Sequence, residues 1–156
     1  MTNVVDARSA CSGARGRSWI WAAVIVEIIG LSIDAVWHGL LGSEVEPLTR
    51  REMVRHLATV HLVLYAGVVM LFLATARAVR HSRGRRALAI AFAGAAIQLA
   101  GEVWHAYSHL QFRPNPFPEL AGFVGLAVAI VATVVAGRTA RGAMTERRLE
   151  RSPQGR

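Results

Sequence analysis

The chain has 156 residues, is 53% hydrophobic and carries a formal charge of +8. Its mean hydropathy of +0.36 is too high for an ordinary soluble domain, and its length suits a single domain. All eighteen basic residues are arginine, and they stand in separate blocks along the chain rather than in one patch, which excludes a nucleic-acid surface.

Runs of roughly 18 or more apolar residues read as membrane spans. Four are present, at about 18–41, 54–76, 87–110 and 120–136. Arg8, Arg15 and Arg17 precede the first. Arg77, Arg80, Arg83, Arg85 and Arg86 lie between the second and third. Arg138, Arg141, Arg147, Arg148, Arg151 and Arg156 follow the fourth. This alternation predicts an all-α, polytopic protein of the cell membrane, a four-transmembrane-helix bundle with both termini cytoplasmic. The polar, Arg- and Gly-rich segments 1–17 and 138–156 read as disordered cytoplasmic tails around a membrane domain at 18–137. Cys11 is the single cysteine, so neither a disulfide nor a thiolate metal site forms within one chain.

The first span reads SWIWAAVIVEIIGLSIDAVWHGLL. Trp19 and Trp21 belong to an interfacial aromatic belt. Glu27, Asp34 and His38 are seven and four residues apart, so they share one helical face. The loop 42–53 contains Pro47, and Thr49 with Glu52 three residues later predicts a capping box, so the second helix starts near Arg50. On one continuous helix, His56 and His61 stand about 140° apart. That places His61, one turn before Tyr65, toward the bundle interior and His56 at the rim. His81 falls in an Arg-rich loop and reads as solvated.

The third span is rich in Ala and Gly up to Gln98 and then carries GEVWHAYSHL. Glu102, His105 and His109 point the same way, with Gln98 one turn below. The following segment, QFRPNPFPEL, has three prolines, Pro114, Pro116 and Pro118, and reads as a stiff non-helical lid. The fourth span has no titratable group, and its Gly122 and Gly125 suit close helix packing.

Counting ~1.5 Å per residue from the arginine-rich ends puts Asp34, His61 and Glu102 at roughly 22–25 Å. His38, His56 and His105 follow at roughly 28–31 Å, and His109 at about 34 Å. Glu27 alone lies near the midplane. Ionisable residues inside a membrane are costly and mark functional positions. Their coincidence in depth predicts a metal site built from Asp34, His38, His61, Glu102, His105 and His109, with Glu27 and His56 as additional candidates. Such nitrogen and oxygen donors suit copper, iron, zinc or manganese. Val36-Trp37-His38 recurs as Val103-Trp104-His105, each at the end of an outward-running span, which suggests a duplicated helix pair.

Asp34-Ala35-Val36-Trp37-His38, followed by His61-Leu62-Val63-Leu64-Tyr65, resembles the first copper site of the C subunit of particulate methane and ammonia monooxygenases. Gly101-Glu102-Val103-Trp104-His105 is similar to that subunit's Asn-Glu-x-x-His pattern, with Gly in place of Asn. The resemblance implies copper held by Asp34, His38 and His61. It covers about half the chain through short motifs. The gap from His38 to His61 is longer than in that family, and the fourth span supplies no histidine.

Three functions remain open. One is a copper or di-iron membrane oxidoreductase acting on a small apolar or lipid-like substrate; the Glu-x-x-His spacing of the third span matches di-iron carboxylate bundles. The second is haem b held by two axial histidines for electron transfer. The third is a metal carrier or proton-coupled transporter, for which Glu27 would extend an ion path. Membrane lipid is an expected neighbour of the chain in each case, together with a homo-oligomeric copy or partner membrane subunits.

Overall fold

The computed structural model describes residues 3–41, 47–81, 86–113 and 115–151. The elements are α1 (Asn3–Val36), a π-helical turn (Trp37–Leu41), α2 (Arg50–Thr59), α3 (Leu62–His81), α4 (Arg86–Leu110) and α5 (Pro116–Arg151). No strand occurs among the described residues. Four segments are long and apolar enough to cross a membrane: Gly16–Leu40, Leu62–His81, Arg86–Leu110 and Pro116–Ala143. The chain is therefore an all-α bundle of four candidate membrane helices.

Three boundaries differ from the sequence reading. The second span is not one helix from the interface inward. It divides at Val60–His61 into α2 and α3. The capping box is present: the Glu52 N–H donates to the Thr49 hydroxyl at 3.3 Å, and the Thr49 N–H donates to Glu52 Oε2 at 3.0 Å. The Thr49 hydroxyl, and then the backbone N–H groups of Thr49 and Leu48, hold the Glu52 carboxyl below its usual range. The second difference is the proline segment, which does not form a lid throughout. Pro116 and Pro118 lie in the first turn of α5, where a missing N–H costs no helical bond. Asn115 Oδ1 accepts from the Phe117 N–H at 3.0 Å and caps that end. Third, α1 begins at Asn3 and α5 runs on to Arg151, so both helices extend beyond the spans read from hydropathy. Extending an existing helix through Ala- and Arg-rich sequence needs no new nucleus.

Between α4 and α5 the chain reverses tightly. The Arg113 N–H donates to the Ser108 carbonyl at 3.1 Å, and the Phe112 N–H donates to the His109 carbonyl at 3.0 Å. That pair of bonds is a Schellman closure, and it sets Phe112 at φ 52°, the left-handed region that usually favours glycine. The reversal brings Asn115 and the start of α5 beside the end of α4.

In the bundle α1 packs along α3 and α4 along α5, and α3 joins the two pairs through α4. By contrast α1 and α5 scarcely touch, which leaves a seam down one side. Small residues permit the close packing. A Cβ on Gly67 would fall 2.7 Å from the Glu27 backbone, and one on Gly125 would fall 2.5 Å from the Gln98 backbone N. The arginine-side half of the interior is apolar, with Ile20, Ala23, Val24, Leu71, Ala78, Leu88, Ala95, Leu126, Ala129 and Ala136 in one cluster. The buried hydroxyls of Thr75 and Thr133 close on carbonyls of their own helices, those of Leu71 and Ala129. Large apolar side chains such as Ile25, Leu73, Ile97 and Val131 face outward, as lipid contact demands.

Candidate metal centre

Six ionisable side chains from three segments meet at the end of the bundle opposite the most arginine-rich segments. Asp34 and His38 come from the end of α1, and the π-helical turn that begins at Trp37 carries His38. Single π-helical turns recur at functional sites because they re-aim one side chain within an otherwise regular helix. His56 comes from α2 and His61 from the α2–α3 junction. His105 and His109 lie one turn apart on α4.

The five imidazoles form two overlapping groups that share His61. In one, ligand atoms of His38, His56 and His61 all lie within 4.8 Å of one another; in the other, those of His61, His105 and His109 do. His61 Nε2 is 3.3 Å from His56 Nε2, and His109 Nε2 is 3.0 Å from His105 Nε2. Metal–imidazole bonds of about 2.0–2.1 Å put the nitrogens of two ligands on one ion roughly 3–3.4 Å apart. The donor spacing therefore fits a transition ion. Asp34 Oδ1 lies 3.1 Å from His61 Nδ1 and 3.5 Å from His38 Nε2. The 3.1 Å approach is not aligned as a hydrogen bond, and both atoms are buried without such a partner. His105 Nδ1 and the Tyr65 hydroxyl are likewise buried and unpartnered. Buried polar atoms are ordinarily satisfied, so four orphans around one cluster suit a bound cation with its hydration. Tyr65 stacks on His61 with ring planes 17° apart and fixes that central ring. The imidazoles pack at centroid distances from 4.5 to 6.3 Å, mostly edge-on or tilted. They do not face each other in a pair across a gap, the arrangement a bis-histidine haem requires.

His56 departs from the sequence reading. It was expected at the rim and off the face of His61, yet it is 8% exposed and in contact with His61. The helix break explains this. The Thr59 hydroxyl bonds the Arg55 carbonyl at 2.8 Å, a back-bond that bends helices. With α2 and α3 as separate elements, the angle between residues five apart is no longer set by one helix.

Glu102 occupies the next layer down. Its carboxylate points at α5, where a Cβ on Gly122 would fall 2.8 Å from Oε1. With Glu27, Asp34, Gln98, His105 and Glu119 it lines a cavity of about 20 Å³, the size of one water. The Gln98 amide donates to Glu27 Oε1, and the Glu27 side chain is fully buried. Glu102 and Glu27 thus stand beneath the histidines and outside the two histidine groups.

Glu119 was missed by the sequence reading, which counted no titratable group in the fourth span. It lies in the first turn of α5 and faces both the small cavity and a larger cleft. Asn115-Pro116, read as a cap followed by a first helical proline, is the signal that would have found it. The larger cleft, of about 700 Å³, lies at the outer end of the α1–α5 seam. Asp34, His38, His105, His109 and Glu119 line it with polar groups, and Leu31, Ala35, Pro116 and Phe123 supply apolar surface.

No family model, curated protein or solved structure matches this chain. The site is therefore read from its own geometry: a buried histidine cluster able to hold a metal ion, within a bundle of candidate membrane helices.

Proposed function

We propose that this chain is a membrane oxidoreductase whose metal centre, most simply copper, is held by the histidine cluster and Asp34 and acts on a small apolar substrate. The observation that carries the reading is the convergence of five imidazoles and Asp34 in one cluster, three of whose rings, His38, His105 and His109, line a cleft that also offers apolar surface. All-nitrogen triads with a neighbouring carboxylate suit copper, iron or zinc, and of these only copper and iron are redox-active. The resemblance of Asp34, His38 and His61 to the first copper site of the monooxygenase C subunits supports copper among these. Bound there, the metal would supply one-electron chemistry. The residues of this chain would bind it, orient the imidazoles through Asp34 and Tyr65, and admit an apolar molecule from the lipid side along Leu31 and Phe123.

Transport fits less well. A carrier needs an alternating polar route to both faces, and the interior on the arginine side of Glu27 is apolar and tightly filled. The test is elemental analysis of protein purified from membranes and washed with a mild chelator, together with electron paramagnetic resonance. We expect about one to two equivalents of copper or iron per chain, with nitrogen hyperfine structure if copper is present, and loss of the metal in His61→Ala. Zinc alone, or metal retained at full occupancy in His61→Ala, would overturn the assignment. A Soret band in the visible spectrum would replace it with haem.

A further inference from the structure

The α1–α5 seam opens a second time, at the arginine-rich end. A cleft of about 700 Å³ is lined there by Arg17, Trp21, Thr133, Val134, Gly137, Arg138 and Arg141. Arg17 and Trp21 are one turn apart on α1; Arg138 and Arg141 are one turn apart on α5. Three guanidinium groups therefore border one concave space, with an indole and a valine on its membrane side. Among the described residues no carboxylate pairs with any of these arginines. Unpaired arginines at a water-exposed helix end are ordinary. Here three converge on one cleft from two helices that scarcely touch along their length.

We propose that this cleft binds the head group of an anionic phospholipid. Guanidinium forks match phosphate oxygens in a bidentate way and remain charged at all physiological pH values. Basic pockets between membrane helices at the bilayer surface take phosphate head groups with this chemistry. Trp21 and Val134 lie where the glycerol and upper acyl chains would pass, and the seam continues from there along the bundle. An apolar wall inside the cleft is of no use to a free phosphate, which is why a lipid is the occupant. The site does not depend on the metal centre.

The test is native mass spectrometry of the full chain released from micelles containing equal amounts of phosphatidylglycerol and phosphatidylcholine. We expect phosphatidylglycerol to be retained at least tenfold over phosphatidylcholine, given roughly a fivefold gain per well-placed arginine. The preference should disappear in R138Q/R141Q, whose side chains are exposed, and persist in R80Q/R86Q, which removes two arginines at the same end of the bundle but outside the cleft. Circular dichroism checks that the helices remain, and R141Q alone serves if the double variant unfolds; it should lower the preference several-fold. Equal retention of the two lipids overturns the proposal, as does equal loss in R80Q/R86Q, which would mean a general basic rim. Displacement of the lipid by millimolar inorganic phosphate would make the ligand a free anion and overturn the lipid assignment.

Discussion

Asp34 and His61 show how one contact organises the cluster. Asp34 reaches both the ring of His38, one turn along, and the buried ring of His61 at the α2–α3 junction, and Tyr65 stacks on the His61 ring. A carboxylate beside an imidazole fixes its orientation and makes it a better ligand. Asp34→Ala, His38→Ala, His61→Ala and His105→Ala should each lower bound metal, by about 10- to 100-fold in affinity where only the orienting partner is removed. His81→Ala should leave it unchanged, since His81 is exposed at the opposite end, where its ring bonds the Arg77 carbonyl. Metal titration of the five variants checks this; equal loss in His81→Ala would contradict it. The spacing of four residues made Asp34 with His38, and His105 with His109, legible as pairs, because a helix places such residues side by side. His56 was not legible. Its place depends on a break marked by neither glycine nor proline, only by the Thr59 back-bond and the burial of His61.

At the scale of elements, α2 is the least expected and the most informative. It is ten residues long, too short to persist alone in water, and it delivers His56. Its start was readable because a capping box is a local pattern. Its end was not, because Val60 closes it in an ordinary helical conformation. Removing the cap should therefore loosen a metal ligand from a distance. Thr49→Ala is expected to cost about 1 kcal/mol of local stability, a roughly fivefold faster amide exchange at Met53 and His56. Glu52 adds a pH dependence of known sign. Its folded carboxyl titrates below the unfolded value, so its contribution is present above about pH 4.3 and is lost as pH falls through the lowered folded value. Protection of the α2 amides, measured against their intrinsic exchange rates, should fall over that acid range, and Glu52→Gln should remove this dependence. An unchanged pH profile in Glu52→Gln would mean that the box contributes nothing in solution. The first turn of α5 carries the same lesson. Prolines were read as breakers of a helix when, behind Asn115, they begin one.

For the molecule as a whole, the four spans and their antiparallel order were legible from apolar length and arginine placement, since both follow from the bilayer rather than from detailed packing. The unequal seams were not, because hydropathy says nothing about which helices meet most closely. Glycines decide that. On the α4–α5 side, a Cβ at Gly125 would fall 2.5 Å from the Gln98 backbone N and 2.6 Å from the Gly94 carbonyl oxygen, atoms that cannot move aside without displacing a helix. Gly125→Val should separate α4 from α5, lower the thermal midpoint by several degrees and weaken metal binding through His105 and His109. Gly142→Val, where a Cβ meets nothing within 4 Å, should do neither. Melting curves and metal titration of the pair would show whether the packing has the stated direction.

The apolar filling on the arginine side of Glu27 has an electrical meaning. A charge that arrives at the histidine layer from the near face crosses only part of the membrane's field, and the remaining drop falls across an apolar region whose buried hydroxyls, those of Thr75 and Thr133, are tied to carbonyls of their own helices. A full crossing of one charge is worth about 2.3 kcal/mol per 100 mV. On the proposed function, a centre insulated on one side would make no such crossing, and the electrons and protons it exchanged would return to the side from which they came. The bundle would then act as a capacitor plate facing one compartment, and chemistry at a metal held there would leave the transmembrane voltage unspent.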